Sequence, residues 1–489
     1  MPLNFRFDNS YARLPGQFYV RQTPFEVPAP SLVALNRPLA ELLGLDGEAL
    51  ASEEGIATLC GNALPAGAEP LAMAYAGHQF GHFVPQLGDG RALLIGEIIG
   101  RDGIRRDLQL KGAGRTAFSR QGDGRAALGP VLREYLLSEA MAALGVPTTR
   151  ALAAVATGDE IWREGAVKGA LLVRVAQSHV RVGTFQYFAA RGEQAALTLL
   201  ADHVIARNYP ELAAQENPYL GLLTQVIRRQ GELVAKWLLL GFVHGVMNTD
   251  NMSIAGETID YGPCAFLDSY DPFKVFSSID THGRYAYGRQ PQIAAWNLAR
   301  LAETLLFAFG PNEEVQMAEA NGALSSFTTS FAAAYQTGLC TKLGLDPAEE
   351  FDVNLAQDLL VRMAEGRADF TLVFRSLCDV AEDPARDKQV RALFAEPELY
   401  DEWARNWHER FERGRRGARL AIMRQVNPRY IPRNHRVEAA LKAAQNGNFT
   451  DFQKLLHVLQ APYAEQPDFS EFAIPPLPDE EVCHTFCGT

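Results

Sequence analysis

Short apolar runs and helical periodicity divide this chain into two unlike parts. Between residues 71 and 190 the apolar stretches have strand length. Phe83–Leu87, Ala92–Ile99 and Arg106–Lys111 are separated by the turns Gly88-Asp89-Gly90 and Gly100-Arg101-Asp102-Gly103. Such punctuation predicts an antiparallel meander whose third strand ends in a lysine. An amphipathic helix follows, carrying Leu128, Val131, Leu132, Tyr135, Leu136 and Met141 mostly on one side. Strand-like runs then resume at Ala151–Ala156, Ile161–Arg163 (after a Gly158-Asp159 turn) and Gly169–Val175.

From Glu193 onward the period is close to 3.6. Helices are predicted over Ala195–Arg207, Tyr219–Val243, Gln292–Phe309, Glu313–Leu343, Asn354–Glu365, Phe370–Ala381 and Glu396–Arg416. The pattern reads as α+β: a β-rich unit over residues 71–190, then a helical unit over 191–460. Residues 1–70, with a predicted helix at Leu32–Leu43 and prolines at 24, 28 and 30, read as an extension wrapping the core. The Pro-rich, acidic stretch 461–489 reads as a tail.

Composition narrows the function classes. A 47% hydrophobic, 21% charged chain has enough apolar residues for a large core. Its formal charge of −12 provides no basic field for nucleic acid, and the basic run Glu409–Gln425 reads as a solvated helix face. The six cysteines form no disulfide framework, and Cys483 and Cys487 lack a second pair to complete a metal site. With no apolar leader in MPLNFRFDNSYARLP and no spanning run, the expectation is a soluble cytoplasmic protein without a membrane partner.

The chemistry concentrates in GFVHGVMNTDNMSIAGETIDYGP, residues 241–263. His244 opens a loop after an apolar helix, Asn251 lies seven residues on, and Asp260-Tyr261-Gly262 nine beyond that. Kinase-type phosphotransferases space their two metal ligands in this way, with hard oxygen donors on opposite loops to clamp Mg²⁺ (or Mn²⁺) against a triphosphate. Asn251 and Asp260 are therefore the predicted metal ligands. The kinase general base would stand two positions after the histidine, where this chain has Val246; Asp250 is the one remaining carboxylate of the loop. Upstream, Lys111 and Glu134 stand where an ion pair to the phosphates is expected. A solvated Glu134 is the plainer alternative. The glycine-rich stretches around Gly88 and Gly112–Gly124 suit anion-binding nests, and Arg174 and Arg181 suit a phosphate fork.

Five motifs in register resemble the selenoprotein O (SelO/YdiU) family: YAGHQFGHFVPQLGDGRA, LQLKGAGRTAFSRQGDGRA, VLREYL, HGVMNTDNMSI and IDYGPCAFLD. The resemblance spans most of the chain. It implies a protein-kinase-like bilobal fold that moves AMP from ATP to Ser, Thr or Tyr hydroxyls of proteins. ATP in this family lies reversed relative to kinases, with the γ-phosphate buried. On that resemblance, Gly88, Gly90, Arg91, Asp123 and Gly124 match nucleotide-contact positions. Arg174 and Arg181 match the γ-phosphate cations, Lys111 the phosphate lysine, Glu134 its partner, Asn251 and Asp260 the metal ligands, and Asp250 the proton acceptor. Cys487 stands where eukaryotic relatives carry selenocysteine. Two other readings stay open: a kinase with Asp250 as displaced base, and a catalytically silent nucleotide-binding scaffold.

Overall fold

In the computed structural model, which describes residues 3–412 and 416–486, an antiparallel sheet is followed by a long run of helices. Cys487 lies outside the described residues. The strands are β1 (Tyr19–Arg21), β2 (Ser31–Leu35), β3 (Leu71–Met73), β4 (Gly77–Gln79), β5 (His82–Val84), β6 (Ala92–Ile99), β7 (Arg105–Lys111), β8 (Ala126–Ala127), β9 (Arg150–Trp162), β10 (Ala166–Ala176), β11 (Phe242–Val243) and β12 (Ala265–Phe266). Helices α1 (Arg37–Leu42), α2 (Gly47–Ala51) and α3 (Glu53–Leu59) come before the sheet's main strands, and α4 (Leu128–Ala143) comes within it. The helical part comprises α5 (Val182–Ala189), α6 (Gln194–Asn208), α7 (Pro218–Leu239), α8 (Gln290–Leu305), α9 (Glu313–Leu343), α10 (Glu350–Glu365), α11 (Phe370–Glu382), α12 (Asp387–Arg391), α13 (Glu398–Glu412), α14 (Arg416–Val426), α15 (Asn434–Gln445) and α16 (Thr450–Leu459).

The main sheet runs β1-β3-β6-β7-β10-β9-β2, with β8 also paired to β10. Alternation along the strands sorts side chains between two apolar layers. Leu93 and Ile95 of β6, with Leu171 and Val173 of β10, pack with Leu39, Leu43 and Leu50 of the first helices. Leu94 and Leu172 pack with Leu132 and Leu136 of α4 on the other side. A sheet covered on both faces has little need of polar positions, which is why these strands read as continuous apolar runs. A third cluster, around Trp403, Trp407, Leu359 and Phe374, forms the core of α9–α14.

Several expected elements differ. Leu32–Leu43 is a strand and then a helix, because Ser31–Leu35 pairs with β9 and Asn36 caps α1 by accepting from Leu39 N. Segments before residue 70 thus supply both edge strands of the sheet. Phe83–Leu87 is no strand of the main sheet; only His82–Val84 is extended, in a separate hairpin with β4. The neighbour of β6 is instead β3. Gly158-Asp159 makes no turn: β9 passes through with a shift of register against β10, and Gly158 (φ +77°) sits in that irregularity. Two extra residues of β9 there are accommodated as a bulge. The helix expected to reach Val243 ends at Leu239, since Gly241 (φ +72°) redirects the chain and Phe242–Val243 pairs with β12. The stretch 396–416 holds all of α13 and the first residue of α14. No described helix is long and apolar enough to cross a membrane.

Lys342, at the end of α9, is buried with its ammonium over the rings of Phe374 (4.4 Å) and Phe370 (5.7 Å). Burial pulls its pKa down to about 7. The unfolded chain, titrating near the usual lysine value, holds a proton between pH 7 and about 10.5 that the folded chain has released. Stability therefore rises with pH across that window. Lys342→Met is expected to stabilise the fold at pH 6–7 by on the order of 2 kcal/mol, the burial cost less the ring contacts. That advantage should shrink towards pH 10 in urea titrations; a variant less stable than wild type at pH 6 would contradict it.

Candidate active site

A cleft of about 770 Å³ opens between the sheet and the loop after β11. The local chain explains the loop's shape. Gly245 (φ +81°) and buried Val246 turn it inwards. His244 Nε2 bonds to Ile259 O (3.0 Å), while its Nδ1 accepts from Val246 N (3.3 Å). Burial lowers the imidazole pKa, which fits a neutral ring donating from Nε2. Thr249–Asn251 forms a single 3-10 turn, presenting Asp250 and Asn251 side by side.

Asp260 and Asn251 meet across the loop: Asn251 Nδ2 donates to Asp260 Oδ2 (3.0 Å) and to Val246 O (3.1 Å). With its nitrogen committed, the Asn251 amide has Oδ1 left for a cation. A carboxylate and an amide oxygen are the hard donors that Mg²⁺ or Mn²⁺ takes, and the remaining positions suit water and phosphate oxygens. The donor set fits such an ion. Asp260 also holds a left-handed backbone (φ +73°), uncommon for a non-glycine residue and characteristic of functional sites. Burial raises its pKa, but Lys111, Arg91 and Arg174 more than offset this and hold it below the usual carboxylate range.

Lys111 ends β7 and pairs with Glu134 of α4, with Asp260 Oδ1 at 3.9 Å. Glu134 is buried rather than solvated, and Arg174 Nη1 shares it at 3.2 Å. Burial pushes Glu134 up, and Lys111 with Arg174 brings it below its ordinary value. Arg174 is further held by Gln109 Oε1, which accepts from Nε (3.1 Å) and Nη2. Arg181 is different. Its Nε donates to His179 O (3.2 Å), its Nη1 to Asp250 O (3.0 Å), and the guanidinium lies 4.3 Å from the Tyr75 ring centre; Nη2 is buried without a partner among the described residues.

Asp250 is buried, and burial pushes its pKa up to about 6 against the pull of Arg181. Its Oδ2 accepts from Gln79 Nε2 (3.3 Å), while Oδ1 has no partner among the described residues. Val246, at the position a kinase base would hold, also lines the cleft.

Gly88, Gly90 and Arg91 line the same cleft from the turn before β6. A Cβ on Gly88 (φ +70°) would overlap the Phe118 ring, and one on Gly124 (φ +70°) would strike Gly114 O, so both turns close only with glycine. Asp123 stands at the mouth in an ion pair with Arg163 (2.8 Å), and that pairing lowers its pKa. The cleft thus gathers every predicted site residue except Glu134, which reaches it through Lys111. A second cavity of about 580 Å³, between α4 and α15, shares Arg91, Lys111 and Asp260 with it.

The sequence alone assigned no role to Tyr75, Gln79, Asp89, Gln109 or Asn248, although all but Gln109 line the cleft. Tyr75, Gln79 and Asp89 fall inside the motif YAGHQFGHFVPQLGDGRA, but nothing local there marks which side chains face inwards.

Comparison with known proteins places the chain in a family. The family model described as protein adenylyltransferase SelO matches residues 2–460. A Rhodopseudomonas palustris protein named protein nucleotidyltransferase YdiU is 60% identical over 492 residues, covering 100% of both chains. Proteins of the same name from Bradyrhizobium diazoefficiens (59%, 100% of both chains) and Methylorubrum extorquens (60%, 99% of both chains) are similarly close. With the family model spanning nearly its whole length and relatives matched end to end, the chain belongs to the protein adenylyltransferase SelO (YdiU) family.

Proposed function

We propose that this cleft transfers AMP from ATP to Ser, Thr or Tyr hydroxyls of proteins, with the nucleotide reversed relative to a kinase. The observation that carries this reading is the pair at its floor. Among the described residues, Asp250 is a buried carboxylate with one unbonded oxygen and Arg181 a buried guanidinium with one unbonded nitrogen, in a cleft shared with Lys111 and Asp260. The unbonded cation suits a terminal phosphate held deep, and the Asp250 carboxylate beside it suits an incoming hydroxyl.

The strand order β3-β6-β7-β10-β9, with α4 following the lysine strand, supports a kinase-like bilobal arrangement. In this reading residues 71–190 form the first lobe, 191–460 the second, and 1–70 and 461–489 are extensions. Gly88, Gly90, Arg91, Asp123 and Gly124 would border the nucleotide, and Arg174 and Arg181 would hold its γ-phosphate. Asn251 and Asp260 would hold Mg²⁺ or Mn²⁺, which supplies charge neutralisation to the polyphosphate when bound.

The acceptor oxygen forms a bond to the α-phosphorus as the bond to the bridging oxygen of the β-phosphate breaks. The hydroxyl proton passes to Asp250, and pyrophosphate leaves. A carboxyl titrating near 6 is ionised at neutral pH yet basic enough to take that proton. Lys111, Arg174 and Arg181 stabilise the charge gathering on the leaving group.

The test uses ATP labelled separately at the α- and γ-phosphates, with Mg²⁺ or Mn²⁺ and a lysate acceptor, read by label and intact mass. Label from the α position with an added AMP mass is expected. Label from the γ position alone would identify a kinase using Asp250. ATP-dependent thermal stabilisation without covalent product would identify a binding scaffold.

A further inference from the structure

We propose that the β4–β5 hairpin is the device that sets the carboxylate plane of Asp250, with Gln79 as its positioning residue. This rests on the reading of Asp250 as proton acceptor. The hairpin stands outside the main sheet, so the sheet itself gives it no partner. It is fastened instead to the catalytic loop. His78 N donates to Thr249 Oγ1 (2.7 Å), and Phe80 N to Asn248 Oδ1 (3.1 Å). His78 Nδ1 and Thr249 Oγ1 both bond Gln186 of α5, at 2.8 and 2.5 Å. Tyr285 OH donates to Asn248 Oδ1 (2.7 Å) and its ring lies 5.0 Å from that of Phe80.

So anchored, the hairpin touches both oxygens of Asp250. Gln79 Nε2 donates to Oδ2 (3.3 Å), and it is the one side-chain donor to this carboxylate among the described residues. On the other side Gly77 lies against Oδ1, so closely that a Cβ there would overlap it. One contact on each oxygen fixes rotation about the Cβ–Cγ bond, and that rotation decides where the lone pairs point. The two-residue turn that makes this possible is strained. Phe80 (φ +50°) and Gly81 (φ +86°) are both left-handed, an arrangement that suits a tight hairpin but penalises phenylalanine. A non-glycine residue kept in that region by bonds to Asn248 and Tyr285 fits a segment held for its geometry.

A transferring hydroxyl misdirected by about an ångström costs on the order of 100-fold in rate. Gln79→Met keeps the length and volume of the side chain and removes only the donor. With α-labelled ATP and a fixed excess of lysate protein, kcat is expected to fall about 10- to 100-fold. KM for ATP and the ATP-induced rise in melting temperature should stay at wild-type values. Wild-type kcat in Gln79→Met would overturn the proposal, as would a KM for ATP raised in step with the loss. Should Gln79→Met fail to fold, Gln79→Glu applies the same test, since it keeps the shape and sets a carboxylate against Asp250; wild-type kcat there would equally overturn it. Asp250→Asn separates the two levels. If Asp250→Asn turns over normally, the proton-acceptor reading fails and the hairpin's role with it. If Asp250→Asn is inactive while Gln79→Met is wild type, the hairpin proposal alone fails.

Discussion

Asp260→Asn is expected to lower nucleotidyl transfer by on the order of 1,000-fold while the chain stays folded. Asparagine keeps the size of the side chain and tolerates the left-handed backbone that Asp260 adopts. What it removes is the charge. Asp260 stands 3.9 Å from Lys111 and accepts from Asn251, so the neutral amide weakens the cation site and leaves the cluster of Lys111, Arg91 and Arg174 short of one counter-charge. Intact mass after incubation with ATP and Mg²⁺ measures the loss. Asp260→Gly makes the companion case: it loses the same activity, and relief of the positive φ should leave its melting temperature at or above that of Asp260→Ala. Undiminished AMP transfer in Asp260→Asn would remove Asp260 from the proposed metal site.

The second large effect is on stability. Arg433 is 1% exposed and joins Asp268 (2.7 Å) to Asp369 (2.6 and 3.1 Å). Asp369 also caps α11 by accepting from Leu372 N, and Arg433 begins α15 as its N-cap residue. One guanidinium therefore ties the segment beyond Asp260 to two helices. Arg433→Met leaves buried Asp369 and half-buried Asp268 without their cation, and loss of one partner of a buried ion pair costs about 3–5 kcal/mol. Burial already raises the pKa of Asp268 against the pull of Arg433. Urea unfolding at pH 7 should show the drop in midpoint, and adding Asp369→Asn to Arg433→Met should recover part of it. A midpoint equal to wild type would mean that the pair contributes nothing net.

Local chemistry made part of the site legible in the sequence. Asn251 and Asp260 are separated by a short loop, so their spacing already constrains how far apart they can be. Lys111 ends a strand and Glu134 sits two turns into the next helix, and the expected ion pair between them is present. Helices α10 and α11 lie within a few residues of their predicted spans, because a one-sided apolar stripe is a property of the local sequence.

What the tertiary structure decided is which distant segments meet. Leu32–Leu43 shows apolar residues compatible with strand or helix, and only pairing with β9, more than a hundred residues later, makes its first part a strand. Gly158-Asp159 has turn composition, yet pairing with β10 on either side keeps it within one strand as a bulge. Gln79 lies 171 residues from Asp250 and Gln109 lies 65 from Arg174, so no local pattern could announce either contact. The sequence by itself determined the order of elements, the family motifs and the residue types available for metal and phosphate. Folding alone determined that, among the described residues, Arg181 keeps a free nitrogen while Arg174 does not, and that a strained hairpin packs against Asp250. The physical reason is that periodicity and turn chemistry act over a few residues, whereas burial and hydrogen-bond partnership depend on everything brought to the same place.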